Sequence, residues 1–305
     1  MKQLFIVLSL CIIASVTLAE FREDLSLEYM HIAATSFCPT EKIATLECGP
    51  YCDYLRDRDF TTFFTQTYNR SLGMTFSFSM FYSPTKKLFA TAFRGTKGAI
   101  ELAIEMLQAY GHKFDLHPNL PGNPVIEHFF YDTYKNIFRK DLLENIKKAR
   151  DTLPADTAFL FTGHSLGAAM SVVSALDAKL SGLLEDRAHV VYNYGCPRVG
   201  NHDFAKLYDS HFPESYRVIH YKDLVPRIPP CIENPFTGKC IKANLGELVW
   251  FPWHVNNEVY YQDEEMTLGN YVVCKDEDPN CANQFDFIHS WNSDHTRYYG
   301  LVTGC

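Results

Sequence analysis

The stretch 158–180 constrains the fold of this 305-residue chain more than any other. An apolar strand-like run leads into the turn GHSLG at 163–167, and an apolar helix-like run follows directly. A serine on so tight a turn needs neighbours without side chains two residues away, which accounts for Gly163 and Gly167. Strand, strained turn and helix in this order are typical of a nucleophile elbow, which presents the Ser165 hydroxyl above a sheet edge. The competing interpretation is a plain turn flanked by glycines.

The alternation of strand-like and helix-like runs predicts an α/β fold. Between residues 157 and 221 the runs alternate, as in a mostly parallel sheet with helical crossovers on both faces. Upstream, residues 76–81 and 88–93 are predicted to pair as strands, and residues 125–150 have the period of a long amphipathic helix. The region after residue 230 is predicted to be irregular, aromatic and held by disulfides.

The first 19 residues are predicted to be a secretory signal peptide. Lys2 supplies a positive charge, residues 4–16 are almost wholly apolar, and Ala19 ends the segment with small residues suited to cleavage. The alternative is a signal anchor that stays in the membrane. Residues 20–305 are then expected to form one domain, and no later stretch is long and apolar enough to span a bilayer.

The composition argues against nucleic-acid binding and against common cofactors. Lys and Arg number 28 against 36 Asp and Glu, a formal net charge of −8 at pH 7, and no basic stripe is present. A G-x-G-x-x-G loop, a Walker loop and an H-E-x-x-H motif are also missing from the sequence. We therefore predict neither a cofactor nor a metal, and the sequence does not indicate an oligomeric state.

The cysteines fit an exported chain. Ten cysteines less Cys11 of the signal segment leave nine, an odd number, and Cys196 is the one predicted to be unpaired and buried. Zinc is the alternative to disulfides, but C-x-x-C pairs are missing and export favours oxidation. Asn69, in the sequon Asn69-Arg70-Ser71, is the predicted glycosylation site. The predicted disulfides are the locally spaced pairs Cys48–Cys52, Cys231–Cys240 and Cys274–Cys281, with Cys38–Cys305 remaining.

Ser165 needs a general base, and the base needs an orienting carboxylate. In elbow folds the acid follows a later strand and the histidine comes last. Asp223 stands just past the strand-like run 216–221 and is the expected acid, whereas Asp203 and Asp209 lie on a helix face. The residues alone leave three later histidines open, namely His254, His289 and His295. Four others are predicted to be structural: His128, His164, His189 and His220.

Several segments resemble the signature segments of class 3 lipases, the family of filamentous-fungal triacylglycerol lipases. The similarity runs in order over roughly residues 25–305. It implies an α/β-hydrolase fold in which Ser165 is the nucleophile, Asp223 the orienting acid and His295 the general base. The family's end-to-end and short N-terminal disulfides match Cys38–Cys305 and Cys48–Cys52. The segments are the elbow with Ala168-Ala169, Arg94-Gly95-Thr96, GCPRVGN at 195–201, DLVPR at 223–227, and His295 with Tyr298-Tyr299-Gly300.

An oxyanion formed during attack on an ester needs two hydrogen-bond donors. The backbone N–H of Leu166, which follows the nucleophile, is the first. The resemblance places a Ser or Thr at Thr96, whose N–H and hydroxyl supply the second. Thr96 is equally suited to cap a helix predicted for residues 99–107. That helix occupies the family's lid position, and its amphipathic pattern fits either a lid that opens onto lipid or a helix packed permanently on the body.

The sequence therefore predicts a secreted serine hydrolase that cleaves carboxylic esters of lipids through a Ser-His-Asp triad and an acyl-enzyme. Its expected partner is a lipid ester at a lipid–water interface, with no nucleic acid involved. A phospholipase A1 or an aryl or feruloyl-type esterase on the same scaffold is the alternative enzyme. A secreted lipid-binding protein without catalytic activity is the alternative from another class.

Overall fold

The structure, a computed structural model, describes residues 20–69, 74–96, 110–237, 239–243, 250–255, 257–285, 290, 292–302 and 305. The predicted signal peptide and the helix predicted for residues 99–107 lie outside these ranges. The α-helices of the described ranges are α1 Glu23–Thr35, α2 Thr40–Thr45, α3 Pro50–Arg56, α4 His128–Thr133, α5 Arg139–Thr152, α6 Leu166–Leu180, α7 His202–His211 and α8 Asn292–His295, and a π-helical turn, Tyr134–Phe138, joins α4 to α5. Within the described ranges, none of the helices has the length and apolar character needed to cross a bilayer.

Two sheets and a small hairpin contain the strands of the described residues. They are β1 Thr61–Asn69, β2 Thr75–Ser83, β3 Leu88–Phe93, β4 Gly111–Lys113, β5 Val125–Glu127, β6 Ala158–His164, β7 His189–Tyr194, β8 Gly200–Asn201, β9 Tyr216–His220, β10 Pro252–Trp253, β11 Asn257–Tyr261, β12 Tyr271–Cys274, β13 Arg297–Tyr298 and β14 Leu301–Val302. Among the described residues, eight strands form the central sheet in the order β1-β2-β3-β6-β7-β9-β11-β12. The adjacent pairs from β3 to β11 are parallel, and antiparallel strands close both edges.

Alternate residues of the central strands supply two hydrophobic cores. On β3, Phe89 and Phe93 belong to the core that includes α6, whereas Ala90 and Ala92 belong to the core that includes α1. Because successive side chains of a strand point to opposite faces, this division places α6 and α1 on opposite sides of the sheet. The mostly parallel sheet with helices on both faces confirms the predicted α/β-hydrolase fold.

The helix predicted for residues 125–150 is wrong at its start. Residues Val125–Glu127 form β5, which pairs with β4 and β8. Helix α4 begins only at His128, where the Glu127 carboxylate accepts hydrogen bonds from the N–H groups of Phe129 at 3.0 Å and Phe130 at 2.9 Å. The apolar spacing of the helix continues into a buried strand, so periodicity alone did not show the boundary.

The region after residue 230 is more regular than predicted. Strands β11 and β12 extend the central sheet beyond β9. The residues of β11 alternate little in polarity because this strand is buried on both faces, as strands inside α/β sheets are. The central sheet therefore extends well past the predicted acid and supports the loops that carry the later histidines.

Disulfides join the four predicted pairs of cysteines, the three locally spaced pairs and the remaining pair Cys38–Cys305. Cys38–Cys305 connects residues 267 positions apart, and the other three close short loops. Cys196 is a free thiol that is fully buried, and burial raises its pKa to about 12. A thiol with so high a pKa stays protonated and unreactive at neutral pH.

Candidate active site

Ser165 sits on a strained turn between β6 and α6. Its backbone has φ 62° and ψ −128°, a left-handed conformation that is rare for any residue other than glycine. The Ser165 N–H donates to the Tyr194 carbonyl oxygen at 2.9 Å, which ties the turn to the end of β7. Because Ser165 is the N-cap of α6, the first N–H groups of that helix surround the serine. Strain held in place by neighbouring structure is typical of functional residues.

The two glycines of the turn are required by close packing. A methyl group at Gly163 would lie 2.3 Å from the Gly167 carbonyl oxygen. One at Gly167 would lie 2.1 Å from the Phe93 carbonyl oxygen at the end of β3. Neither contact can be relieved by a side-chain rotation, since both neighbours are backbone atoms. The glycine spacing of the motif thus has a steric cause in this fold.

Asp223 and His295 form a buried pair. His295 Nδ1 lies 2.9 Å from Asp223 Oδ1 and 3.0 Å from Oδ2. Asp223 is 0% exposed and His295 3% exposed. Asp223 follows β9, and its N–H donates to the His220 carbonyl oxygen at 2.8 Å, whereas His295 ends α8. The geometry is that of an imidazole whose Nδ1–H is held by a carboxylate, which leaves Nε2 as the basic nitrogen.

Hydrogen bonds keep the Asp223 carboxylate ionised despite its burial. Burial alone would raise the pKa of Asp223, but the charge and hydrogen bond of His295, the Tyr298 hydroxyl and the Val225 N–H lower it below its usual value. The Tyr298 hydroxyl donates to Asp223 Oδ2, and the Val225 N–H donates to Oδ1 at 2.8 Å. Burial and the adjacent carboxylate raise the pKa of Tyr298 well above its usual value, so this donor keeps its proton.

His164 connects the serine turn to the Asp223–His295 pair. Its Nε2 donates to the His295 carbonyl oxygen at 2.6 Å, and the two rings lie 4.4 Å apart between centroids. Burial and the proximity of His295 lower the pKa of His164 to about 3, so the ring is neutral. His164 immediately precedes Ser165, which places the serine beside the histidine of the pair. Ser165 Oγ itself is buried and has no hydrogen-bond partner among the described residues.

Gly195 lets the acid and the histidine approach the sheet edge. Its φ of 58° is left-handed, and a methyl group there would lie 2.7 Å from Asp223 Oδ2 and 3.0 Å from His295 Cε1. Gly195 follows β7, between the ends of β6 and β9. The carboxyl ends of three parallel strands therefore supply Ser165, Gly195 and Asp223 to one place, as expected at this edge of an α/β sheet.

The predicted oxyanion donors lie beside the serine. A methyl group at Gly95 would be 3.1 Å from Ser165 Cβ and 2.7 Å from the His164 carbonyl oxygen, so the loop after β3 touches the turn. Thr96 is the next residue of that loop and is partly exposed. Leu166 is the first residue of α6, so its N–H has no partner within the helix. Both predicted donors are thus adjacent to the turn that carries Ser165.

The other sequence candidates lie elsewhere. His254 Nε2 bonds to the Pro226 carbonyl oxygen at 2.8 Å, and Asp203 Oδ2 accepts from the Asn123 N–H at 2.9 Å. Asp209 is on α7, and His289 is outside the described residues. Tyr298 has a contact with the acid that the motif H-x-x-Y alone did not reveal.

Possible metal ligands in the described part of the chain are mostly oxidised cysteines. The groups close enough to share an ion are Cys38, Cys48 and Cys305, and Cys274, Cys281 and Asp278. All five cysteines are in disulfides. Since cysteine binds zinc as the thiolate and these sulfur atoms are in disulfides, these groups offer no set of ligands for zinc.

Fold and site together define the class of the protein, an α/β-hydrolase with a serine elbow. A sequence profile described as Lipase (class 3) matches residues 90–233. Solved structures agree in fold: a lipase from Rhizopus microsporus var. chinensis is 23% identical, with a TM-score of 0.73 over 92% of this chain and 87% of that one. A triacylglycerol lipase described as having a serine protease triad is 24% identical, with a TM-score of 0.72 over 92% and 96%. The part of the chain that this profile matches includes Ser165 and Asp223, and over that range the chain is similar to class 3 lipases.

Curated relatives match over only part of their length. A lipase of Caenorhabditis elegans is 29% identical over 231 residues, which cover 68% of this chain and 61% of that protein. The secreted mono- and diacylglycerol lipase 1 of Fusarium solani is 38% identical over 96 residues, or 30% of this chain and 28% of that protein. The chain thus spans less than two thirds of the length of these relatives.

Proposed function

We propose that this protein is a secreted lipase that hydrolyses carboxylic esters of lipids. The observation that carries the proposal is the buried Asp223–His295 pair packed, through His164, against the strained turn of Ser165. The names of the relatives support lipids as the substrate class, since they include secreted mono- and diacylglycerol lipases. Glycerides at a lipid–water interface are the substrates we expect.

In the proposed reaction Ser165 Oγ attacks the ester carbonyl carbon while His295 Nε2 takes the serine proton. Asp223 holds the ring through Nδ1 and stabilises the imidazolium that forms. The N–H of Leu166 and the N–H and hydroxyl of Thr96 donate to the oxyanion. His295 then gives the proton to the leaving alcohol as the ester bond breaks. Water repeats the sequence on the acyl-enzyme and releases the fatty acid.

The serine–histidine hydrogen bond is expected to form only with substrate in place. Ser165 Oγ has no such bond among the described residues, and catalytic hydrogen bonds are often long before a substrate binds. Ser165 is only 1% exposed. We therefore expect an ester to reach it only after the surrounding structure moves, which suits an enzyme that works on a lipid surface.

Hydrolysis of a substrate panel tests the proposal. The panel holds a soluble short-chain ester, emulsified mono-, di- and triacylglycerols, a phospholipid and an aryl ester, each assayed with the wild type and Ser165→Ala. We expect Ser165-dependent hydrolysis that is fastest on emulsified glycerides. If the phospholipid is hydrolysed fastest, the protein is a phospholipase. If the aryl ester is hydrolysed fastest, it is an aryl esterase. A folded protein that binds lipid and hydrolyses none of them would be a lipid-binding protein.

Export is proposed together with the activity. We propose that residues 1–19 are removed and that residues 20–305 form the secreted domain, with Asn69 carrying a glycan. Asn69 is exposed at the end of β1, which suits a glycosylation acceptor. When the full chain is expressed in a eukaryotic secretory host, the culture medium should contain a protein whose first residue is Glu20. An N-terminus at Met1, or retention in membranes, would support a signal anchor instead.

A further inference from the structure

The disulfide Cys231–Cys240 closes a hairpin that takes no part in the proposed reaction. Inside this disulfide hairpin, the Asn234 N–H donates to the Lys239 carbonyl oxygen at 2.8 Å. At the turn, Asn234 Oδ1 accepts a hydrogen bond from the Phe236 N–H at 2.9 Å. A covalent link and hydrogen bonds thus hold the described part of the hairpin in one shape.

Phe236, at the turn, is the most exposed large apolar side chain in the described part of the chain. It is 94% exposed, and Ile232 in the first arm is 44% exposed. Because the hydrogen bond and the disulfide hold the turn, this exposure is not that of a loose chain. A single exposed apolar side chain is ordinary on a protein surface, whereas a group of them marks a contact site. The neighbours of the hairpin therefore decide whether Phe236 belongs to a contact site.

Exposed apolar side chains are grouped around the smaller sheet, whose strand order is β10-β8-β5-β4. Tyr110, Ile232 and Phe236 are three of the six large apolar side chains that are exposed in the described ranges. Tyr110 immediately precedes β4 at one edge of the sheet. The hairpin is at the other edge, where the Lys242 ammonium lies 4.9 Å from the centre of the Trp253 ring on β10. Neighbouring strands are about 4.8 Å apart, so the two edges are separated by about 15 Å.

The smaller sheet adjoins the loops of the catalytic groups. Strand β4 is the first described strand after Thr96, the predicted oxyanion donor, and the disulfide hairpin follows the turn of Asp223 along the chain. At the base of the hairpin, the Ile228 carbonyl oxygen accepts from the Arg198 N–H at 3.0 Å. Arg198 is in the same loop as Gly195, which touches Asp223. A lipid surface against this sheet would therefore be close to the loops that carry Thr96 and Asp223.

The charges around the hairpin are balanced. Beside its second arm is a groove of about 410 Å³ that contains side chains of both signs. The basic and acidic side chains of the hairpin and the groove, apart from Glu277 in its ion pair, are Lys239, Lys242, Lys275, Glu233, Asp276 and Asp278. Three of each sign give no preference for an anionic surface, and the turn Pro235-Phe236-Thr237 is uncharged. An uncharged lipid surface therefore fits this hairpin, and lysine side chains can rest on it with their ammonium groups in water.

We propose that the disulfide hairpin is a lipid anchor, in which Phe236 inserts among the acyl chains of an uncharged lipid surface beside Ile232. This inference rests on the proposed function, because the surface that it binds is the one whose esters are hydrolysed. Insertion removes the apolar ring from water. The turn is already formed, so binding does not have to order it. The anchor holds the enzyme on the lipid and takes no part in breaking the ester bond.

Binding to an emulsion without hydrolysis tests the anchor. Ser165→Ala is mixed with triolein droplets stabilised by phosphatidylcholine, and the bound fraction is measured after flotation. Phe236→Ser in the same background should need about tenfold more lipid for half-maximal binding. No binding of Ser165→Ala, or equal binding with and without Phe236→Ser, overturns the proposal.

Leu268→Ser in the Ser165→Ala background is the matched control. Leu268 is 58% exposed and lies in the loop after β11 that bonds to α1. The hairpin instead packs through Cys240 on the core that includes α6, on the other side of the central sheet. Leu268→Ser should bind the emulsion as tightly as Ser165→Ala. A loss equal to that of Phe236→Ser would overturn a specific role of the hairpin.

A depth measurement shows whether the ring enters the lipid. Phe236→Trp in the Ser165→Ala background should add fluorescence that brominated acyl chains quench, relative to Ser165→Ala with its three native tryptophans. Added phosphatidylglycerol or salt should change the binding little. Binding that requires the anionic lipid and is lost in salt indicates an electrostatic contact and overturns insertion. A dimer that Phe236→Ser dissociates, seen by ultracentrifugation, would assign the hairpin to a second copy of the chain and also overturn it.

Kinetics separates the anchor from the proposed function. With Ser165 intact, Phe236→Ser should hydrolyse a soluble ester at the wild-type rate, because the catalytic groups are unchanged. On the emulsion it should need about tenfold more lipid for half-maximal rate, with kcat little changed, and Phe236→Leu should restore most of the loss. An equal loss on the soluble ester overturns the anchor, because it indicates a structural residue. A wild type that hydrolyses neither ester contradicts the proposed function, and the binding and quenching results still decide the anchor.

Discussion

At the scale of single residues, the site depends on positions where only one side chain fits. Ser165 is held with φ 62°, and Gly195 brings the backbone within contact of both Asp223 and His295. Such positions tolerate little change because neighbouring backbone or catalytic atoms occupy the space. Substitutions at these positions should disturb the site and not the hydrophobic cores, because other residues form the cores.

Gly195→Ala tests this crowding. Its methyl group would lie 2.7 Å from Asp223 Oδ2 and 3.0 Å from His295 Cε1, so the pair must move apart. We expect kcat on a soluble ester to fall about a hundredfold. Gly182→Ala is the control, because Gly182 also has a positive φ (72°) but its methyl group would only contact Glu185 at 3.7 Å. Equal activity of the two variants would contradict the close approach described for Gly195.

Tyr298→Phe removes a donor from the acid. The Tyr298 hydroxyl is one of the groups that lower the pKa of Asp223, so that pKa should rise in the variant, which NMR titration of the carboxyl group can measure. A hydrogen bond to a charged group contributes about 1.5–3 kcal/mol, and we expect kcat to fall about tenfold. An unchanged pKa of Asp223 would show that Tyr298 does not support the carboxylate.

The sequence predicts these residues unequally. Ser165, Asp223 and His295 follow from the turn motif, the order of elements and the family resemblance. The role of Tyr298 does not, because its contact with Asp223 joins residues 75 positions apart in the chain. A periodic pattern specifies which face of an element is apolar, but it does not specify which distant side chain a buried hydroxyl will meet.

At the scale of elements, a buried ion pair between Arg198 and Glu277 joins separate segments of the chain. The Arg198 guanidinium lies 2.8 Å from Glu277, with the two side chains 3% and 2% exposed. Glu277 Oε1 also accepts from the His254 N–H at 2.7 Å, and Arg198 donates to the Pro229 carbonyl oxygen at 3.1 Å. The pair therefore connects the segment before β8, the loop after β9 and the loop after β12.

Stability should depend on pH through Glu277. Burial would raise its pKa, but Arg198, His254 and Asn283 lower the pKa well below the usual value. With the folded pKa below the unfolded pKa, the stabilisation is complete above the unfolded value of about 4.3 and is lost as pH falls below it. Urea unfolding across this range should show a steep acid loss in the wild type and a shallower one in Glu277→Gln.

The variant Glu277→Gln should also be less stable than the wild type at neutral pH. Glu277→Gln leaves the Arg198 charge buried without its partner, and breaking such a pair typically costs about 3–5 kcal/mol. An equal free energy of unfolding for both proteins at neutral pH would contradict the role of the pair.

The elements themselves are predicted best where periodicity and burial agree. Strand β6, helix α6, strand β7 and strand β9 match their predicted segments closely because each is a continuous apolar run beside a clear turn. The sequence places β5 in a helix because its two apolar residues, Val125 and Ile126, continue the helical spacing of 128–150. The sequence does not indicate strand β1, because its residues are only half-buried and largely polar.

At the scale of the whole molecule, Cys38–Cys305 ties α1 to the end of the chain across 267 residues. A cross-link of that span restricts the unfolded chain strongly. Replacing both cysteines with serine should therefore lower the free energy of unfolding by about 5–6 kcal/mol in the chain-entropy model. The corresponding change at Cys231–Cys240, which spans 9 residues, should cost less. Equal losses would show that the cross-link does not act through the unfolded chain.

The central claim is that Ser165 is a nucleophile activated by His295 and Asp223. Covalent labelling with a soluble serine-directed phosphonate, read by intact mass and peptide mapping, tests it most directly. We expect one phosphonyl group per chain at Ser165, no labelling of Ser165→Ala, and labelling slowed by orders of magnitude in His295→Ala. A folded wild-type protein that stays unlabelled, or that is labelled at another residue, would contradict the account.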